Sequence, residues 1–152
     1  MAIIKAVNSR ASINTIIQYI TNPVKTEERF IGTFNCRKNN ILGDMRATKK
    51  SWNKMGGRQY KHFIQSFSPE ENITPEEAHA IAEELVNSWD KFKGYEVCFA
   101  THTDRNHIHT HIVVNSVSYE TGKKFNYSKR ELQEFKDLSD KILIEHNKQI
   151  CH

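Results

Sequence analysis

The hydrophobic positions of this chain change period several times, and each change marks an element. MAIIKAV opens with a short apolar run, Ala2 to Val7, that reads as a buried strand. Behind Ser12, a residue type that caps helices, Ile13, Ile16, Ile17 and Ile20 recur at helical spacing. Asn22 and Pro23 stop that helix. RFIGTFNC reads as a second strand and YKHFIQSF, Tyr60 to Phe67, as a third, with loop and broken helix between them.

The clearest helix comes next. Thr74 and Glu77 form a capping box, Pro75 takes the first helical position, and Ala78, Ile81, Ala82, Leu85, Trp89 and Phe92 make an apolar stripe that ends at Gly94. YEVCFATHT and HIHTHIVVNSVS are a fourth and a fifth strand. A turn at YETGKKF leads to a last helix boxed by Ser128 and Glu131, with Leu132, Phe135, Leu138, Ile142 and Leu143 on one side. The order β-α-β-β-α-β-β-α predicts an α+β fold, a mostly antiparallel central sheet with helices packed mainly on one face. The pattern leaves strand order and direction open. Its 152 residues suit a single domain with a real core, residues 1–152, either alone or as the N-terminal part of a longer protein.

Composition narrows the function classes. No run approaches the roughly 18 apolar residues of a membrane span, and the N-terminal apolar stretch is too short for a signal peptide, so a cytoplasmic protein is expected. Cys36, Cys98 and Cys151 are widely spaced and form no CxxC pair, which argues against a disulfide framework or a thiolate metal site. A net charge of +4 permits a polyanionic partner without demanding one. The segment from Arg46 to Lys61 is more telling, with Lys49, Lys50, Lys54 and Arg58 and no acid. As a bare loop it would be solvated surface. Trp52 and Tyr60 within it favour a nucleic-acid contact, because cations reach phosphates and rings stack on bases.

HTDRNHIHTHIVVN, residues 102–115, holds four of the eight histidines within ten positions. On a strand, His107, His109 and His111 share one face, and the β-branched run behind them suits a central strand buried on both sides. His102 ends the preceding strand, and a tight connection folds it back beside them. Imidazole is the commonest ligand for divalent transition metals, and three histidines leave coordination positions open, as in catalytic sites. Asp104 is placed to accept a second ring N–H and fix a tautomer. Side-by-side imidazoles on a core strand need partners, which weighs against unrelated polar residues. An open metal site on a basic protein suggests phosphoryl chemistry. No G-x-S-x-G signature or papain-like nucleophile is present, which leaves water or one of the five tyrosines to attack.

These residues resemble the third motif of the relaxases, the mobilisation endonucleases of conjugative plasmids and transposons, in the MobA/VirD2-type branch of the HUH endonucleases. The matches are His102, Asp104, His109, His111 and Asn115; His107 falls where the family varies. IIQYITNPVKT, residues 16–26, is similar to the first motif and FIQSFSPEE, residues 63–71, to the second. ETGKKF also has the family's look. The resemblance implies metal-dependent nicking of single-stranded DNA at an origin of transfer, through a 5′-phosphotyrosine intermediate that later rejoins the strand. It implies Tyr19 as nucleophile, His102, His109 and His111 as ligands of Mn²⁺ or Mg²⁺, Asp104 as a proton-handling group, and Ser66 and Ser68 on DNA phosphate. Relaxosome accessory proteins and a coupling protein are the implied partners. A phenol ordinarily titrates near about 10, so attack at neutral pH needs a nearby charge or base. Keeping the ester bond in a covalent intermediate explains a tyrosine where a hydrolase would use water.

Tyr19 lies off the isoleucine stripe, which fits an exposed phenol. Histidine-nucleophile relaxases are disfavoured because the first fifty residues hold no histidine. Rolling-circle initiators and single-strand transposases pair the same histidine strand with a tyrosine on a later helix, whereas Lys129 to Glu145 contains none. A non-catalytic DNA- or metal-binding accessory domain is a third reading, in which Tyr19→Phe would change nothing.

Overall fold

The computed structural model describes residues 2–104 and 107–146. Five strands, β1 (Ala2–Val7), β2 (Ile31–Phe34), β3 (Tyr60–Phe67), β4 (Val97–His102) and β5 (His109–Asn115), form one sheet in the order β1-β3-β5-β4-β2. Every pairing is antiparallel. Four helices accompany it: α1 (Ile13–Ile20), α2 (Ile41–Ser51), α3 (Pro75–Ser88) and α4 (Lys129–Glu145). The α+β class and the antiparallel sheet are those the sequence predicts.

The helices divide between the two faces, where the sequence led to the expectation of mainly one. Alternation along the strands explains it. Phe63, Val97, Phe99, Ile112 and Val114 point to one side and pack with α3 and α4, while Cys98, Ala100 and Val113 point to the other and pack with α1 and α2. Every residue of β4 and β5 is buried, as strands covered on both faces must be. The α3–α4 side is aromatic: Trp89 stacks on Phe135 with centroids 4.2 Å apart, and Phe63 and Phe92 meet them edge-on. Both capping boxes are formed, Thr74 with Glu77 and Ser128 with Glu131. Helix α3 ends at Ser88 rather than Phe92, because Trp89 turns extended to bring its ring inward and a 3-10 turn, Asp90–Phe92, follows.

Helix α2 runs unbroken where the sequence led to the expectation of loop and broken helix. It carries few apolar residues and is fastened by a buried polar knot. Asn115, at the end of β5, donates to the Met45 carbonyl (3.0 Å) and to Glu96 (2.8 Å). Its side-chain oxygen accepts from the Lys49 ammonium, while Thr48 donates to Glu96 at 2.6 Å. Burial pushes the Lys49 ammonium down to about 8 and raises the Glu96 carboxyl, so each partly escapes the cost of a buried charge. Removing Asn115 would strand several buried donors and acceptors, each costing about 1–3 kcal/mol. Asn115→Ala is therefore expected to destabilise the domain by about 3 kcal/mol in urea denaturation, with the loss reduced if α2 frays locally.

Candidate active site

Strand register builds the site. His102, the last residue of β4, lies opposite His109, the first of β5, and His111 lies between Ala100 of β4 and Ile64 of β3. Because alternate residues share a face, His109 and His111 continue the row that deeper in the sheet is Val113, and His102 continues the row of Cys98 and Ala100. The apolar core beneath α1 thus gives way to imidazoles where the helix ends. Ring centroids are 4.3 Å apart for His102–His111, 5.0 Å for His109–His111 and 5.1 Å for His102–His109. One nitrogen from each ring lies within 4.8 Å of the others, and all three rings are buried.

The hydrogen bonds orient these rings. His102 Nε2 donates to the Ile20 carbonyl at 2.9 Å, tying the imidazole to the last turn of α1. His109 Nδ1 points to the His107 carbonyl at 3.5 Å. His111 Nδ1 pairs with His62 Nε2 at 2.8 Å, and among the described residues no hydrogen-bond partner reaches its buried Nε2. Burial first, then the neighbouring His102, pushes His111 down to about 2 and lowers His109 as well, so both rings are neutral at physiological pH. Neutral imidazoles with a buried nitrogen lacking a partner fit a divalent ion, which needs lone pairs and not protons. Together with His102 and His109, His111 could hold one ion and leave positions for water or substrate.

Tyr19 stands over this cluster. Helix α1 buries Ile13, Ile16, Ile17 and Ile20 and leaves the phenol 39% exposed. Its ring meets His102 and His111 edge-on, with centroids 5.8 and 5.6 Å away. The turn after α1 is held by Lys25 and Thr26 N–H groups on the Asn22 carbonyl, by Thr26 Oγ1 on the Thr101 carbonyl (2.5 Å) and by Thr103 N–H on the Lys25 carbonyl (3.0 Å). These bonds bring the Lys25 ammonium 5.2 Å from the Tyr19 ring centre and 3.5 Å from the Asp104 carboxylate. Asp104 sits below the usual carboxylate range: slight desolvation works against this and is outweighed by its own backbone N–H and by Lys25.

A cleft of about 290 Å³ opens beside the histidines, lined by Lys5, Tyr19, Ile64, Ser66, His109 and His111 together with His107. Ser66 is opposite His109 in register and faces this space. Ser68 closes a local turn instead, donating to Glu70 at 2.6 Å and accepting its N–H at 3.2 Å. His107 precedes β5 and borders the cleft outside the group of three.

The basic stretch is not brought to the histidines. Its helix docks at the Asn115 end of β5, roughly 20 Å from His109 at the rise of an extended strand. Arg46 and Lys50 are exposed on α2, Lys54 donates to the Gly122 carbonyl, and Arg58 donates to the Ser9 carbonyl at 3.2 Å. Lys49 requires correction as a DNA-binding residue: it is 1% exposed and directed into the polar knot, beyond the reach of a phosphate. Tyr60 is likewise no stacking platform, being buried with its hydroxyl 2.5 Å from Ser9. Trp52 is 40% exposed.

Comparison with known proteins decides what carries this geometry. The family model "Relaxase: MobA/VirD2-like, nuclease domain" matches residues 19–148, a span that takes in Tyr19 and all three histidines. The chain belongs to the MobA/VirD2-like relaxases. It is 33% identical over 141 residues to the protein rlx of Staphylococcus aureus, covering 93% of this chain and 41% of that protein. Over 87 residues it is 42% identical to the group II intron-interrupted relaxase LtrB of Lactococcus lactis subsp. cremoris, covering 56% of this chain and 15% of the relative. The relaxase chain thus spans about two fifths or less of the length of these relatives. The matched region is the nuclease domain of that family. Among the described residues no helix is long and apolar enough to cross a membrane.

Three residues of this relaxase site escaped sequence reasoning. Lys25 lies inside the first motif, and only the fold of its turn brings it to Tyr19. Lys5 comes from the edge strand β1, opposite Ile64. His62 stands forty positions before His102 and meets His111 through the β3–β5 register alone.

Buried neutral histidines give the metal-free domain a signed pH dependence. Burial lowers His62 to about 4, with a further push from His102. Below the unfolded value of about 6.5 the unfolded chain takes up protons that the folded one refuses, so stability is lost as pH falls from about 6.5 towards 4. His62 alone should remove roughly 2 kcal/mol by pH 5. Urea midpoints from pH 7.5 to 4.5 are expected to fall along this slope, and a flat profile would contradict neutral burial.

Proposed function

We propose that this domain is the nicking transesterase of its relaxase, acting on single-stranded DNA at an origin of transfer during mobilisation of a plasmid or conjugative transposon. The observation that carries this reading is Tyr19, half-exposed, with its ring edge-on to two histidines of a buried triad. His102, His109 and His111 would hold a divalent ion, Mn²⁺ or Mg²⁺, which would supply positive charge to a phosphate oxygen and make phosphorus more electrophilic.

The phenol oxygen of Tyr19 attacks phosphorus, a P–O(Tyr) bond forms and the bond to the 3′ oxygen breaks. The 5′ end stays on the protein as a phosphotyrosine ester. The proton lost by the phenol is restored to the leaving oxygen as a 3′-hydroxyl, with Asp104 as the group that handles it. Lys25, between Asp104 and the Tyr19 ring, brings a positive charge to the place where the phosphate would meet the phenol. Attack by the 3′-hydroxyl reverses the step and rejoins the strand, with no energy lost to hydrolysis. Ser66 and Lys5 line the cleft with the hydroxyl and cation that a phosphodiester needs. Arg46, Lys50, Lys54 and Arg58 are the outlying cations available to the DNA backbone. Relaxosome accessory proteins and a coupling protein are the partners of such an enzyme.

Incubation with a supercoiled plasmid carrying the cognate origin and Mn²⁺, stopped with detergent, should yield a nicked strand with protein on its 5′ end. Tyr19→Phe should lose the adduct entirely, and His109→Ala and His111→Ala should each lose at least a hundredfold in nicking. Nicking without an adduct would point to hydrolysis and remove Tyr19 from its role. Binding without nicking in any condition would favour the non-catalytic reading. Separately, Arg46→Glu with Lys50→Glu should flatten the slope of log affinity for single-stranded DNA against log salt by roughly 1.4, about 0.7 per lost phosphate contact. An unaltered slope would reduce that face to solvated surface.

A further inference from the structure

We infer that His62 is a positioning residue for the metal site: its Nε2 accepts the Nδ1–H of His111 and so presents the other nitrogen of that ring, unprotonated, to the ion. The inference rests on the reading of His102, His109 and His111 as metal ligands.

A neutral imidazole carries one proton on one of two nitrogens, and a hydrogen bond at one decides the state of the other. His111 has Nδ1 at 2.8 Å from His62 Nε2, and its Nε2 is buried with no partner among the described residues. Two proton arrangements satisfy the short contact. If His62 donates, the His111 proton sits on Nε2, a buried N–H with nothing to receive it, and the ring cannot bind a cation there. If His111 donates, its Nε2 becomes a bare lone pair beside His102 and His109. Only the second arrangement makes the site a site. It requires His62 to keep its own proton on Nδ1.

The three ligand rings are each steered by a different acceptor. His102 uses the Ile20 carbonyl and His109 the His107 carbonyl, both fixed by backbone. His111 is central, with β3 on one side and β4 on the other, and its ring is met by a side chain from β3. His62 has the reach for this because it lies two residues along from Ile64, which is directly opposite His111. The two rings are tilted by 31° with centroids 5.0 Å apart, close to an in-plane hydrogen-bonded pair. His62 is itself 6% exposed, so water does not compete readily for the contact.

Substitution can separate this role from packing. A glutamine amide extends as far as Nε2 of histidine and offers an oxygen there, whereas an asparagine amide reaches only the position of Nδ1. Calorimetric titration with Mn²⁺ alone is expected to show His62→Asn and His62→Phe binding 10–100-fold more weakly than wild type, and His62→Gln within about threefold of it. Wild-type affinity in His62→Asn, or a His62→Gln as weak as His62→Asn, would overturn the inference. Failure of wild type itself to bind Mn²⁺ would instead overturn the metal reading and this inference with it. Long-range ¹H–¹⁵N spectra of the metal-free wild type supply a measurement that needs no variant. They should report the proton of His62 on Nδ1 and that of His111 on Nδ1, and a His62 ring protonated on Nε2 would refute the assignment.

Discussion

The register of β5 between β3 and β4 is the constraint on which the site depends. It sets His102 against His109, His111 against Ala100 and Ile64, and Asn115 against Tyr60. A slip of one residue would turn His109 and His111 to the aromatic α3–α4 side and expose Thr110 and Ile112 in their place. Burial on both faces prevents this. Ile112 and Val114 are committed to one core and Val113 to the other, so the pairing that satisfies the core also assembles the imidazoles.

One face of the sheet carries two polar centres at opposite ends of the same strand. At the His109 end, polar groups are arranged with a buried nitrogen left over, which suits a site that takes a ligand. At the Asn115 end, Lys49, Glu96 and Thr48 are all engaged with one another or with Asn115, which suits a fastener. The apolar row between them, Cys98, Ala100 and Val113 under α1, keeps the centres apart. This separates stability from chemistry: one knot holds α2 in place, and the other leaves a face open beside Tyr19.

Tyr19 owes its position to an ordinary amphipathic helix. Four isoleucines on one side of α1 fix its rotation, and the phenol, off that stripe, is directed towards the end of the sheet where the histidines lie. The His102–Ile20 hydrogen bond then ties the helix terminus to the triad. Nucleophile and ligands are thus referenced to each other through one backbone carbonyl, with the Asn22–Thr26 turn adding Lys25 and, through it, Asp104.

Much of this was legible in the sequence, for a physical reason: the period of a strand or helix is a local property. The isoleucine spacing placed Tyr19 off the buried face, the two-residue step joined His109 to His111, and the capping boxes at Thr74 and Ser128 marked two helices. The β-branched run showed that β5 is buried on two sides, but local pattern could not assign helices to each face, because which helix covers which face depends on contacts between distant segments. Nor could it separate Lys49 from Lys50, adjacent in sequence and alike in charge, when one turns into the protein and the other into water. His62 and Lys5 reach the site through strand pairing over long sequence separations, and Lys25 through the geometry of its turn. The chain's own periodicities determined its elements, the continuous helix α2 apart, and most of its chemical groups. Tertiary structure decided which of those groups meet, because contacts between distant segments depend on register and burial that no single segment encodes.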